Sequence, residues 1–478
     1  MENGMKIYNT LSKTKEEFKP IEDTKIKMYV CGPTVYDYSH LGHAKGYVSM
    51  DVIRRYLEWR GYAVTYVQNF TDVGHLTDDA DEGEDKIEKR AKETKVDPME
   101  LVDQYINAYY EDFRALQVKD ATIAPRPSQH IEEIIEFVKV LIQKKYAYEV
   151  NGSVYFDVAK FKDYGKLSGR KLEEMEAGAR VEIREEKQNP ADFALWIKAE
   201  PEHILKWESP WSLGYPGWHI ECSVMSYKYL GDTFDIHGGG IDNIFPHNED
   251  EKAQSEAYTG KPMANYWVLY NLVNIGGEKM SKSKGNFTTV RELLQKHDPE
   301  VIRYAILKSH YRSTIDFNEK MFEESQNSIE GLHDFMARLQ LVDSDKPNNL
   351  DVSGITLKTR EDFIQSMDDD FNTPLALSKI FGLIKEVNKI FTQLNTTQSE
   401  SILAFLYDLD EVLQLRLDKI RPSSKDLPEF LDELILERED ARRRKDWETA
   451  DRIRDELLRH GIELEDTSKG VRWKKIKG

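Results

Sequence analysis

The chain has 478 residues, more than one ordinary hydrophobic core organises, and points to two to four domains. Its 86 acidic and 67 basic residues give a formal charge of −19, which excludes a generally basic nucleic-acid coat; any phosphate partner would need local positive patches. No apolar run approaches the roughly 20 residues that span a bilayer, and Met1–Thr14 is largely polar, so no membrane association, no secretory leader and a cytoplasmic location are expected.

In chain order, Lys27–Cys31 (KMYVC) reads as a short buried strand broken by Gly32-Pro33-Thr34. A helix from Gly42 to Trp59 and a second strand over Ala63–Gln68 complete a βαβ unit, which predicts a parallel sheet. Asp72–Asp85 is an acidic, poorly periodic loop; Lys86–Leu116 and Ser128–Tyr146 carry long helical patterns. Asn151-Gly152 between two short β patterns predicts a type I′ hairpin, opening a mixed region that runs to Trp211 and looks inserted into the first fold. That fold resumes with Pro216–Leu230, a strand at Phe234-Asp235-Ile236, and Tyr266–Asn274. From Glu292 the pattern is helical, with a loop at Asp343–Gly354 and a linker at Arg421–Leu427. One long helix over Glu429–Arg459, capped by Gly461, and a β-hairpin through Trp473 end the chain.

Two strings carry chemistry. His40-Leu41-Gly42-His43 opens a helix directly behind the first strand. Glycine there admits a nucleotide to the backbone, and a helix N-terminus with two imidazoles three apart suits phosphates. Lys279-Met280-Ser281-Lys282-Ser283-Lys284, behind Gly276-Gly277, is a basic loop without hydrophobic periodicity, fit for a step in which pyrophosphate leaves. Each alone has a plain alternative, a metal-site or chance match for the first and an exposed basic loop for the second. The only cysteines, Cys31 and Cys222, are too few for a disulfide framework and, taken blind, would be small buried hydrophobes.

HLGH and KMSKS together resemble the two signatures of class I aminoacyl-tRNA synthetases. The text around them is similar to the cysteinyl branch of that family: Tyr29-Val30-Cys31-Gly32-Pro33-Thr34, Gly217-Trp218-His219-Ile220-Glu221-Cys222-Ser223, and Asp235-Ile236-His237-Gly238-Gly239-Gly240 continuing to His247 and Glu251. The likeness runs from about Lys6 through the terminal hairpin.

The resemblance implies an α/β fold: a Rossmann-type parallel-sheet catalytic domain with an inserted connective subdomain, then a helical bundle and a small mixed α/β C-terminal domain. The boundaries expected are 1–145 and 213–270 for the two catalytic halves, 146–212 for the insertion, 271–320 for a stem-contact region with the KMSKS loop, 321–422 for the bundle, and 423–478 for anticodon binding. It further implies one Zn2+ per subunit on Cys31, Cys222, His247 and Glu251, a reasonable set of two thiolates, an imidazole and a carboxylate. A soft ion would prefer the substrate's thiolate to serine's hydroxyl. His40, His43, Lys279 and Lys282 become the expected catalytic residues; Thr71, Trp218, His219 and His237 the amino-acid pocket; Gly42, Gly240, Asp242 and Lys282 the ATP contacts; and Arg442, Trp447 and Asp451 the anticodon contacts. L-cysteine, ATP with Mg2+, and tRNA-Cys are the partners implied, with the chain acting as a monomer. Three departures stand out: the long acidic Asp72–Asp85 stretch, Ser212-Leu213-Gly214-Tyr215, and Lys45 where the family often has arginine. Rival assignments are a cysteine ligase of thiol biosynthesis, a catalytically silent paralogue, and a generic HxGH nucleotidyltransferase.

Overall fold

The computed structural model describes residues 4–77, 83–171, 186–280, 287–345, 347–418, 429–459, 462–467 and 470–475. The chain divides into two compact units: Met1–Ile329 with Asn349–Thr392 and Asp408–Leu415, and Glu330–Asn348 with Gln393–Tyr407 and Arg416–Gly478.

The first unit is organised by a four-stranded, fully parallel sheet in the order Ala264–Tyr270, Phe234–Gly240, Lys25–Val30, Ala63–Gln68. Parallel strands need crossovers, and helices on the faces bury both sides. Ile26, Met28, Tyr29 and Val30 are accordingly sealed from solvent. Leu41–Trp59 supplies the first crossover, entering Ala63 through a turn at Gly61. The strand Lys25–Val30 has the next strand in sequence on one side and a strand about 200 residues later on the other. Strand order reverses there, and ligands of such sheets bind in the crevice outside the carboxyl ends at that point.

The insertion is an antiparallel sheet ordered Ala147–Val150, Ser153–Phe156, Phe193–Lys198, Gly214–Pro216. Its first turn has Asn151 at φ 54° and Gly152 at φ 90°, the backbone a type I′ hairpin requires. Trp196, Phe156 and Phe193 pack there with Ile134 and Val138 of the helix Ile131–Gln143. Beyond the parallel sheet, Val273–Ile275 pairs with Glu278–Lys279 on one side and Ile315–Phe317 on the other.

Two helical expectations need correction. Lys86–Leu116 is two helices, Lys86–Thr94 and Pro98–Ala115, because Lys95 turns left-handed at φ 59° and Asp97-Pro98 starts a new N-terminus. Glu429–Arg459 is likewise two helices, Glu429–Arg443 and Trp447–Arg459, separated where Lys445 sits at φ 61°. The second pair packs Ile435, Ile453 and Leu457 against Ile462 and Leu464 of the hairpin Ile462–Thr467/Gly470–Lys475. The expected linker Arg421–Leu427 and the cap Gly461 lie outside the described residues.

Candidate active site and metal centre

At the switch point a cavity of about 600 Å3 opens, lined at one end by Cys31, Trp218 and His247 and at the other by His40, His43 and Met280. The two ends differ in chemistry.

At the first end, Cys31 directly follows the strand Lys25–Val30, Cys222 lies in the first turn of Ile220–Leu230, and His247 and Glu251 share one face of His247–Thr259 at i, i+4. One donor atom from each lies within 4.8 Å of the others, and all four residues are buried. His247 Nε2 is 2.8 Å from Glu251 Oε1, Cys31 Sγ is 3.4 Å from the same oxygen, and Cys222 Sγ is 3.7 Å from His247 Nε2. The protonation pattern is divided. Hydrogen bonding with Cys222, together with burial, pushes the Cys31 thiol up. Burial also raises Cys222, but the hydrogen bonds from Cys31 and His247 outweigh it and bring the thiol down to about 6. Burial works against the charge of Glu251 too, yet His237 and His247 hold its carboxyl well below the usual range. Two thiols, an imidazole and a carboxylate converging in one buried corner form a donor set that fits zinc.

Neighbouring groups orient these donors. His237 Nε2 lies 2.7 Å from Glu251 Oε2, and its ring stacks on Trp267 at 4.3 Å. Asn248 Nδ2 donates to Glu251 Oε1 at 3.2 Å. His219 Nδ1 lies 2.9 Å from His247 Nδ1. Trp218 is held between His75, whose ring is 3.8 Å away and nearly parallel, and His247 at 4.5 Å. Thr71 Oγ1 donates to Glu221 Oε2 at 2.9 Å, and burial raises the Glu221 carboxyl well above its ordinary value. All four expected amino-acid contacts therefore gather around the metal corner. Asn248, His75 and Lys86, whose Nζ is 2.8 Å from His75 Nε2, were not anticipated. The only signal for His75 and Lys86 was that the acidic departure contains the one and ends beside the other.

The second end is the start of Leu41–Trp59, where His40 and His43 form a capping box with each other. Gly42 N and His43 N donate to His40 Nδ1 at 3.1 and 3.3 Å, and His40 N donates to His43 Nδ1 at 3.3 Å. An Nδ1 that accepts carries no proton, so each neutral ring bears its N–H at Nε2. The rings stack at 3.8 Å. A Cβ on Gly42 would stand 2.9 Å from the His40 ring, so no larger residue fits without moving it. Gly240 and Asp242 sit where the strand Phe234–Gly240 runs into the turn Ile241–Ile244, and Asp242 lines the cavity. Lys279 ends the short strand Glu278–Lys279, and Lys282 lies outside the described residues.

In the second unit, Arg442 lies in the last turn of Glu429–Arg443, and Trp447 and Asp451 are one helical turn apart at the start of Trp447–Arg459. Trp447 is 58% exposed.

Sequence comparison matches three regions of the chain to known families. Residues 17–327 match the model of the tRNA synthetases class I (C) catalytic domain, 362–418 the DALR domain, and 424–473 the cysteinyl-tRNA ligase anticodon binding domain. A cysteine–tRNA ligase of Thermococcus onnurineus is 49% identical over 99% of both chains. The chain belongs to the class I cysteine–tRNA ligase family. Another member, from Chlorobaculum tepidum, is 48% identical over 99% of this chain and all of its own length. The fold is shared more widely: Mycobacterium tuberculosis methionyl-tRNA synthetase in complex with methionyl-adenylate superposes with a TM-score of 0.57 at 14% identity, covering 82% of this chain and 90% of its own. Among the described residues, no helix is long and apolar enough to cross a membrane.

Proposed function

We propose that the chain activates L-cysteine with ATP and passes it to the terminal adenosine of tRNA-Cys. One observation carries this: a buried two-thiol, imidazole and carboxylate corner opens into the same cavity as a histidine-capped helix N-terminus. Zinc on Cys31, Cys222, His247 and Glu251, one ion per subunit, would supply a soft Lewis-acid contact for a thiolate that serine cannot match. Size alone would separate the two amino acids by only about 1–3 kcal/mol.

The chain's own residues then orient and stabilise charge. Trp218 walls the amino-acid side, and Thr71 presents an oxygen to the substrate amine. The cysteine carboxylate attacks the α-phosphorus of ATP, forming the mixed anhydride and expelling pyrophosphate. Both reactants arrive competent, so placement and charge stabilisation dominate. His40 and His43 offer Nε2–H donors beside the helix N-terminus, and Lys279 and Lys282 are assigned to the leaving pyrophosphate, with Mg2+ accompanying ATP. Gly42, Gly240 and Asp242 border the nucleotide. A ribose hydroxyl of the tRNA then attacks the anhydride carbonyl and AMP leaves. The 423–478 segment reads the anticodon through Arg442, Trp447 and Asp451, residue types suited to stacking on and edge-bonding unpaired bases. The 146–212 sheet is the connective insertion between the catalytic halves.

Cysteine-dependent ATP–pyrophosphate exchange, followed by charging of total tRNA, tests this assignment. Exchange with serine excluded and tRNA-Cys charged is expected. Exchange without charging would transfer the assignment to a thiol-pathway ligase, and neither activity would leave a silent paralogue.

A further inference from the structure

Lys45 lies two residues beyond His43 and is completely shielded from solvent, although it is a lysine. Its ammonium meets three backbone carbonyls, Asn271 O at 2.6 Å, Leu272 O at 3.1 Å and Ser313 O at 2.6 Å. An ammonium has three N–H bonds, so each proton has one acceptor and none is left over. Burial pushes its pKa down to about 7, and three carbonyl dipoles act against that by favouring the charged form.

The acceptors are informative. Asn271 and Leu272 line the cavity and join the last strand of the parallel sheet to Val273–Ile275, which pairs with Glu278–Lys279. Met280, next in the chain, donates its N–H to Val273 O at 3.3 Å and also lines the cavity. Ser313 precedes Ile315–Phe317, the other neighbour of Val273–Ile275. Lys45 thus clasps both chain segments that enter this small sheet. A second, independent feature shows the same close approach. A Cβ on Gly46 would fall 2.3 Å from the Tyr270 ring, so only glycine lets the helix lie this near the Tyr270–Leu272 segment. Farther along, Leu41 N donates to Thr288 O at 3.0 Å and Val290 N to Ser39 O at 2.8 Å, so 288–290 is tied to the same helix start.

We propose that Lys45 is a positioning residue for ATP: its ammonium sets the separation between the His40/His43 helix start and the facing cavity wall of Asn271, Leu272, Val273 and Met280. This role rests on the activation reaction proposed above. The wall and the imidazoles must bracket the same triphosphate, and a displacement of about 1 Å between such groups can reduce rate by about a hundredfold. The metal corner is at the other end of the cavity and is untouched by Lys45.

The test compares Lys45→Met, which keeps length and removes charge, with Lys45→Arg, using cysteine-dependent exchange, equilibrium ATP binding and zinc content. In Lys45→Met, kcat should fall about tenfold to a hundredfold and the KM for ATP should rise severalfold, while the KM for cysteine and the zinc content stay unchanged. Lys45→Arg restores the charge, but its planar donors match three converging carbonyls poorly, so only part of the loss should return. Wild-type kcat and ATP KM in Lys45→Met would overturn the proposal, as would parallel losses of zinc and cysteine affinity. If Lys45→Met does not fold, Lys45→Arg decides: a raised ATP KM at unchanged cysteine KM supports the role, and wild-type values sink it. An unaltered chain without cysteine-dependent exchange would refute the activation reaction instead; weaker ATP binding by the Lys45 variants would still support the anchor, and unchanged binding would refute it.

Discussion

The metal corner and the C-terminal helices, the two recognition surfaces proposed above, are built by opposite means. Around Cys31, Cys222, His247 and Glu251 every donor residue is buried, and His219 and His237 hold His247 and Glu251 in place before any substrate arrives. On the C-terminal unit, Trp447 stands 58% exposed and Asp451 is exposed. A site that must distinguish one atom, sulfur from oxygen, gains from preorganisation because any slack erodes a small difference. A site that reads flexible bases can leave its aromatic surface open and let stacking complete it. The lesson is that rigidity is placed where the chemical difference is smallest.

The strongest way to break this comparison is Cys222→Ser. It should abolish zinc retention and lower cysteine-dependent exchange by more than about a hundredfold, measured by metal analysis and exchange together. Retained zinc with unchanged discrimination against serine would show that the corner is not the selector. Next comes His237→Ala, which removes the partner of Glu251 Oε2 without touching a donor; zinc affinity should drop about tenfold to a hundredfold in a chelator competition. Trp447→Ala should reduce tRNA-Cys charging about tenfold through KM for tRNA, at unchanged pyrophosphate exchange. A fall in exchange would contradict the division of labour.

The smallest effect concerns the wall behind His75. Asp85 accepts from Gly74 N, Ile87 N and Glu88 N and starts the helix that presents Lys86, and burial raises its pKa to about 6. Between its unfolded value near 4 and about 6 the folded state holds this proton more tightly. Folding stability therefore falls by up to about 3 kcal/mol as pH rises through that window, and is level above it. Asp85→Asn keeps an acceptor and removes the charge. Its thermal midpoint should stay within a few degrees of wild type at pH 7, and its decline between pH 4 and 6 should flatten, as followed by circular dichroism.

Much of this was legible in the sequence, unevenly. The βαβ start and the Asn151-Gly152 hairpin follow from period and turn chemistry, and the structure has both; His247 and Glu251 were marked by family likeness and fall at i, i+4 on one helix. The gathering of Cys31 and Cys222 came from family likeness; spacing alone left them as ordinary buried thiols. The helix break at Lys445 had no glycine or proline to announce it, since a lysine there adopts a left-handed backbone. The Asp97-Pro98 restart, by contrast, has a local cap in the structure: Asp97 accepts from Met99 N and Glu100 N, with proline opening the helix. Lys45 was noticed only as a departure from arginine, because its acceptors are carbonyls more than 220 positions away, which no local pattern encodes.

The parallel sheet has a temporal consequence. Its central strand, Lys25–Val30, pairs with Ala63–Gln68 early but with Phe234–Gly240 only after some 200 further residues exist. At about 5–20 residues per second of synthesis, that strand has a bare edge for roughly 10–40 s. Cys31 emerges at the tip of that edge, so a nascent chain carries one of the four residues of its candidate metal corner long before the other three are made. Zinc loading at the proposed site therefore waits until Glu251 has been made, and any ribosome-bound fragment that stops short of it should hold zinc poorly.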